Sequence, residues 1–424
     1  MTRKMKDSGI EWIGEIPEEW EVVKLKYISE FYNGFSFDSN DLISDYTYPV
    51  IRIGDIDKEI VDLNSKLGIK ENLGLSPYLI KDKDILLAMS GATVGKVGFV
   101  EKSGESYINQ RVGIIRSSNP YFVFYNLLTN NFLEYINIRA DGSAQPNIST
   151  KMIENFSIAY PKDGKTQKIT NEIKRKINSI NNTINVIYNQ LENLENYKKS
   201  LITEAVTKGL DKNVEMKDSG IEWIGEIPKH WEVVKGKYIL NLLKRLVRDT
   251  DEVITCFRDG EVTLRSNRRE DGFTFSDKEI GYQGINAGDL VVHCMDGFAG
   301  AIGISDSRGK GSPVLNVIDS SENKKYLMYY LRIMAYSDVF IALATGIRVR
   351  SVDLRWNKLA NLFYPLPRNN EQNDIVEYLD KKTKLIDDSI AIKQKQLETL
   401  EEYKKSLIYE YVTGKKEVND GEET

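Results

Sequence analysis

From Ile173 onward, apolar residues return every three or four positions: Ile173, Ile177, Ile180, Ile184, Ile187, Leu191 and Leu194, with Lys198 and Leu201 continuing the series. A step that averages 3.5 residues lays one stripe along a helix and asks that stripe to be buried against another helix. The same pattern returns 206 residues later at Leu379, Thr383, Ile386, Ile390, Lys393, Leu397, Leu400, Lys404 and Leu407. Neither stripe can be hidden by its own helix, and isolated helices gain little without tertiary packing. At about 1.5–3 kcal/mol per buried aliphatic side chain, mutual burial offers on the order of 15–30 kcal/mol of gross association. The pattern therefore predicts two long helices paired as an intramolecular coiled coil. The competing arrangement is two amphipathic helices that each cover their own domain.

The helices end alike, in LENLENYKKSLI at Leu191 to Ile202 and LETLEEYKKSLI at Leu397 to Ile408. A second repeat precedes each half of the chain. Met5 to Pro17, MKDSGIEWIGEIP, recurs letter for letter at Met216 to Pro228, and WEVVK recurs at Trp20 and Trp231. The chain is an internal duplication. Gly9, Gly14 and Pro17 break the lead-in into an irregular segment with a short strand at WEVVK, and Trp12, Trp20, Trp223 and Trp231 read as packing anchors.

Between lead-in and helix, each half alternates short apolar runs with glycine-rich breaks. Strands are predicted at 48–53, 84–89, 96–100 and 112–116, followed by a helix over 121–138. The second half repeats this order at 289–294, 301–305 and 314–318, with a helix over 325–343. The two domains otherwise share little beyond DILLAMSGATVGKVG at Asp84 to Gly98 and its loose counterpart DLVVHCMDGFAGAIG at Asp289 to Gly303. Pro161 and Pro365 mark the entry to the helices, and Gly209 and Gly414 mark their ends. The predicted organisation is a lead-in and first domain over 1–163 and a spacer helix over 164–208. A repeated lead-in and second domain follow over 209–368, then a second spacer helix over 369–413 and a tail over 414–424. The fold class is α+β, with two mixed α/β domains joined by long antiparallel coiled-coil helices in an internal pseudo-twofold repeat.

Length and composition narrow the function. A chain of 424 residues with 41% hydrophobic and 29% charged residues reads as a multi-domain globular protein. It shows no apolar run of about 20 residues, and MTRKMKDSG lacks the apolar core of a secretion signal. The expected compartment is cytoplasmic. Two cysteines, Cys256 and Cys294, and two histidines, His230 and His293, leave little material for disulfides, metal sites or histidine catalysis. His293 and Cys294 are adjacent in a predicted strand and point to opposite faces, so they read as structural. GATVGKVG at Gly91 to Gly98 is one residue short of a phosphate loop, with Val97 where a magnesium-binding hydroxyl belongs. Asn119-Pro120-Tyr121 lacks the second proline and the Gly-rich loop of an adenine methyltransferase. No Ser-His-Asp or HExxH arrangement is found, so neither a catalytic nor a metal-binding residue is assigned.

Several loops suit nucleic acid despite a net charge of −5, since binding follows the local position of charge. In the first domain GSAQPNISTK supplies Ser143, Gln145, Asn147 and Lys151, and amide side chains can pair bidentately with adenine. Ser90, Thr93 and Lys96 stand in a glycine-rich turn that phosphates could approach. In the second domain Arg348, Arg350 and Arg355 fall in the matching loop, and Arg265, Arg268 and Arg269 form another cluster; arginine serves both phosphates and guanine.

The lead-in GIEWIGEIPxxWEVVK, the Gly-Ser-x-Gln loop at Gly142 to Gln145, the LExLExYKKSLI helix ends and the duplicated layout together resemble the DNA-specificity subunit of type I restriction-modification systems. The second domain departs from that pattern, with GIRVR at Gly346 to Arg350 in place of the Gln-bearing loop. The resemblance implies a non-catalytic subunit whose two target-recognition domains each read one half of a bipartite double-stranded DNA site. It also implies that the paired helices set the gap and dock methyltransferase subunits, two in number. S-adenosylmethionine then belongs to the methyltransferase partner, ATP and Mg to a restriction partner, and no cofactor to this chain. Lys198 and Lys404, charged positions in apolar seams, either snorkel to water or meet acidic residues of the methyltransferase. A scaffold that does not bind DNA and a self-contained methyltransferase or nuclease are the alternative functions.

Overall fold

The computed structural model describes residues 3–57, 59–71, 74–140, 147–162, 164–268, 280–342 and 354–418. The chain forms two compact units, one of residues 1–187 with 395–424 and one of residues 188–394. The division cuts through both long helices and leaves each domain with the first part of one helix and the last part of the other.

In the first unit the lead-in folds as a hairpin of Met5–Asp7 with Glu15–Pro17. Its strand Trp20–Lys24 then pairs antiparallel with the domain's last strand, Ser157–Pro161. The central sheet runs in the order Ser29–Asn33, Val112–Ser117, Ile85–Ala88, Val97–Phe99, antiparallel throughout. Ile85–Ala88 is an unbroken apolar run because it is buried on both faces. Ile85 and Leu87 enter the core shared with the helices, while Leu86 and Ala88 enter a second core on the other side. That second layer is a three-stranded sheet of Gly68–Ile69, Tyr48–Ile51 and Tyr107–Ile108, the last two parallel.

The second unit repeats this frame with different elaborations. Its lead-in hairpin is Met216–Asp218 with Glu226–Pro228, and Glu232–Lys235 pairs with Phe363–Leu366. The central order is Leu240–Leu242, Leu315–Ser320, Leu290–His293, Ile302–Ile304. In place of the three-stranded layer stand two separate pairs, Ile254–Cys256 with Val262–Leu264 and Gln283–Ile285 with Gly309–Gly311.

The single helix predicted in each domain is broken in both. In the first it divides into Pro120–Leu127 and Asn130–Ala140. Thr129 Oγ1 donates to the Asn126 carbonyl at 2.6 Å and Asn126 Nδ2 donates to the Phe122 carbonyl at 2.9 Å, local bonds of the kind that compete with the helical ladder. In the second the break between Lys324–Tyr336 and Val339–Ala342 falls at Asp338, whose φ is +56°.

The long helices run over Thr166–Lys208 and Asn369–Val412, about 65 Å each at 1.5 Å per residue. Their seam residues are placed as the 3.5 periodicity requires. Ile173, Ile177, Ile180, Ile184 and Ile187 are buried, as are Leu379, Ile386 and Ile390. Leu191 and Leu194 pack partly buried in the second unit, and Leu397 and Leu400 do so in the first. The pairing is antiparallel: in the second unit Lys393 reaches Gln190 while Lys198 reaches Asp387, and in the first Glu172 meets Tyr411. Each helix also serves a domain at either end. Leu201, Ile202, Ala205 and Val206 of the first helix lie in the second domain's core, and Leu407, Ile408, Tyr411 and Val412 of the second helix lie in the first domain's core. The helices are thus neither a free-standing rod nor separate covers, because the repeated SLI ends are domain core.

Candidate nucleic-acid interface

In both units one end of the central sheet is knit in the same way. In the first, Met89 N–H donates to the Arg111 carbonyl at 2.8 Å and Ile148 N–H donates to the Met89 carbonyl at 2.9 Å. In the second, Cys294 N–H donates to the Val314 carbonyl at 2.7 Å and Leu354 N–H to the Cys294 carbonyl at 2.9 Å. The segment beginning at Asn147 in the first unit and at Leu354 in the second is thereby hooked beside the turn that follows a central strand, the edge that carries Ser90, Asn147 and Arg355.

Of the first domain's candidates, Ser90 bridges to Asn147 across this edge, and Lys96 and Lys151 are exposed. Lys151 stands on a short helix, Thr150–Glu154, capped by Ser149. The Ser90 and Thr93 hydroxyls are turned inward, buried and without a hydrogen-bond partner among the described residues. Ser143 and Gln145 lie outside the described residues. In the second domain Arg355 starts the helix Trp356–Asn361 directly after Leu354, so it belongs to this edge. Arg265 and Arg268 stand at and just beyond the end of the hairpin strand Val262–Leu264, where Arg265 Nε donates to Thr255 Oγ1 at 3.3 Å. Arg268 is held by Asp259 at 2.7 Å and Glu261 at 2.9 Å and stacks on Phe257, so two carboxylates already offset its charge. Arg258 links the hairpin to the 294–300 turn through Asp296 at 2.7 Å. Arg269, Arg348 and Arg350 lie outside the described residues.

Lys198 and Lys404 both have partners within the chain. Lys198 pairs with Asp387 of the opposite helix, whereas the buried Lys404 pairs with Glu59 of the first domain at 2.7 Å. Position 181, the counterpart of Asp387 in the first helix, is Asn181, which leaves Lys404 to find its carboxylate elsewhere.

Two residues on the first edge were not singled out from sequence. Gln110 and Arg111 sit in the turn between Tyr107–Ile108 and Val112–Ser117, and both are exposed. They stand just ahead of the strand predicted over 112–116; the turn itself shows in the bond from Val112 N–H to the Asn109 carbonyl at 2.8 Å.

His293 and Cys294 are structural. His293 Nδ1 accepts from Met295 N–H at 3.2 Å and Asp296 N–H at 3.0 Å, which places the ring proton on Nε2. The Cys294 sulfur takes a hydrogen bond from buried Asn316, whose amide also donates to the Leu354 carbonyl at 2.8 Å. Among the described residues no cluster of ligating side chains could hold a metal, and no helix is long and apolar enough to cross a membrane.

Burial pushes the His293 pKa below its ordinary value. Because the unfolded ring protonates near pH 6.5 and the folded one resists, its stabilising contribution is complete above that pH and is lost as pH falls below it. The urea midpoint of the second unit is expected to drop between about pH 7 and pH 5, and His293→Asn, which keeps an acceptor for the turn, is expected to flatten that drop. Asp251 acts in a lower window. The hydrogen bonds from Arg308, at 2.9 and 2.7 Å, hold its pKa down to about 2, so its contribution persists until pH falls below about 4.

Comparison with known proteins follows the same lines. Residues 17–193 match the family model of the type I restriction modification DNA specificity domain. The chain is 27% identical over 428 residues to the type I restriction enzyme MjaVIII specificity subunit of Methanocaldococcus jannaschii, covering 94% of this chain and 93% of that one. The fold is shared with a chain from a structure of the type I R-M system, at a TM-score of 0.68 and 13% identity over 94% of this chain and 98% of that one. It is also shared with the HsdS subunit from Thermoanaerobacter tengcongensis, at a TM-score of 0.50 and 14% identity over the same shares. The family model covers the first domain from Pro17 and its helix as far as Asn193, and the match to the MjaVIII subunit spans both halves of the chain. Over nearly its whole length the chain is similar to type I restriction enzyme specificity subunits, and residues 17–193 match the family of their DNA specificity domain.

Proposed function

We propose that this chain is the DNA-recognition subunit of a type I restriction-modification complex, in which each domain reads one half of a bipartite target and the paired helices fix the gap. The observation that carries the proposal is one fold drawn twice in a single chain, with different side chains at the same edge of its central sheet. Gln110 and Arg111 stand in the first where Pro313 and Val314 stand in the second. Two readers of one architecture and unlike chemistry suit two unlike half-sequences. The chain supplies recognition, while methyl transfer with S-adenosylmethionine and ATP-driven restriction with Mg belong to partner subunits. Methyltransferase subunits dock on the outer faces of the helix ends, where exposed Tyr197 and Tyr403 occupy matching positions.

Adding one heptad to each helix, after Tyr188 in the first and after Gln394 in the second, lengthens the pair by about 10 Å, close to three base pairs at 3.4 Å each. Methylated adenines mapped in a host carrying that variant should show the same two half-sequences at a wider gap, with the original target no longer modified. New half-sequences at the original gap would refute this division of labour. Binding by the assembled complex that is sequence-selective and weakens with salt separates recognition from mere scaffolding.

A further inference from the structure

We infer that Gln110 and Arg111 are base-reading side chains of the first domain, contacting adjacent bases of one half-site from the centre of its recognition edge. The inference rests on the DNA-reading role proposed above and adds the residues that carry it out.

The first ground is the state of the charge. Among the described residues of the first unit, every other arginine is engaged. Arg3 pairs with Glu19, Arg52 with Asp55, Arg116 with Asp84 and Arg175 with Glu172, while Arg139 stacks on Tyr135. Arg111 is exposed, and no hydrogen bond, ion pair or ring contact with another described residue engages its guanidinium. The exposed Gln110 side chain likewise has no partner among the described residues. A guanidinium left with all its donors unused beside an unused amide is the pair of groups that recognises guanine O6 and N7 and adenine N6 and N7.

The second ground is that the backbone beneath them is fixed while the side chains are not. Arg111 is tied to Met89, Val112 N–H closes the turn on Asn109, and Asn109 N–H donates to the Ile51 carbonyl at 2.9 Å. Phe35 N–H donates to the Ile108 carbonyl at 3.1 Å, and Gly34 lies so close that an added Cβ would sit 1.9 Å from the Asn109 carbonyl oxygen. A turn held from both flanks points its side chains without having to order its backbone on binding, which is how a reading site keeps its geometry. The third ground is location. The turn lies next to Met89, which receives Ile148, so the exposed Lys96 and Lys151 flank it as phosphate contacts would.

The test uses the full chain assembled with its methyltransferase partner and a duplex library randomised over both half-sites. Arg111→Lys keeps the charge and removes the fork. It should relax preference at one base position of one half-site by about tenfold or more, leaving the other half-site, the gap and non-specific affinity unchanged. Gln110→Ala should relax the neighbouring position of the same half-site. Both side chains are exposed, so unchanged melting is expected, and Arg111→Lys provides a folded variant in any case. Unaltered base preferences in both variants, or a uniform loss of affinity in Arg111→Ala with a smaller salt slope and the same preferences, would overturn the inference and leave Arg111 a phosphate contact at most. A wild-type complex without base preference would instead sink the proposed function itself, a result separable from either variant.

Discussion

Replacing Trp231 with alanine is expected to cost about 3–5 kcal/mol of stability. The side chain is fully buried where the repeated lead-in, the end of the first helix and the start of the second meet. Its Nε1 donates to Glu371 Oε1 at 2.9 Å, and Gly209, with φ of +76°, brings the end of the first helix against the indole. Glu371 is in the first turn of the second long helix, where a carboxylate also favours the helix dipole. Truncation therefore empties a junction and leaves the Glu371 carboxylate with one side-chain partner, His230, at 3.0 Å. Trp20 supplies a comparison within the same molecule. It is as deeply buried and meets Gly414 in the same manner, yet its Nε1 has no hydrogen-bond partner among the described residues. Phenylalanine at 231 should consequently cost more than phenylalanine at 20, by about the 1.5–3 kcal/mol of a hydrogen bond to a charged group. Urea titration of the two variants decides this, and equal losses would show that the Trp231–Glu371 bond contributes nothing net.

That the same tryptophan packs alike but bonds differently shows what kind of information the sequence carried. The duplication, the helices and their seam were legible because they rest on periodicity and repetition, which are local properties of the string. Ile173 through Ile187 announce a stripe whatever their partner. The fate of each helix's final turns was not legible, because Leu407, Ile408 and Tyr411 are buried by a domain more than 200 residues upstream. Nor could Asn119-Pro120-Tyr121 be placed by pattern alone. In the structure Asn119 Nδ2 donates to Tyr160 and its Oδ1 accepts from Thr166, which ties the helix start to the domain's last strand.

The recognition edge was legible only in part, for a related reason. Amide and arginine side chains in a polar loop stand out, so Asn147 and Arg355 were singled out, and the structure sets both on this edge. Gln110 and Arg111 stand outside the polar loops that drew attention, and the turn at Ser90 and Thr93, read as open to phosphates, holds their hydroxyls buried. Side-chain direction in short turns depends on which strand the turn hooks onto, and no residue spacing states that.

Removing the carboxylate of Glu59 is expected to destabilise the first unit more than removing the lysine it holds. Lys404 reads in sequence as a charge misplaced in an apolar seam and available to a partner subunit. Instead its side chain is 9% exposed and its ammonium lies 2.7 Å from Glu59, which is 43% exposed. The two members of the pair are thus unequally solvated. In Lys404→Met the buried charge disappears, a chain of similar volume fills the seam, and the released Glu59 turns to water, so the cost should stay below about 1.5 kcal/mol. In Glu59→Ala the ammonium remains buried without a counter-charge. Full loss of one partner of a buried pair costs about 3–5 kcal/mol, and partial access to water brings the expectation to about 2–4 kcal/mol. The double variant should recover most of that difference, a coupling that only a direct interaction produces. Denaturation of the four proteins reads it. A Glu59→Ala variant no less stable than Lys404→Met would mean that the ammonium escapes to solvent, and would return Lys404 to the pool of residues free to meet a partner.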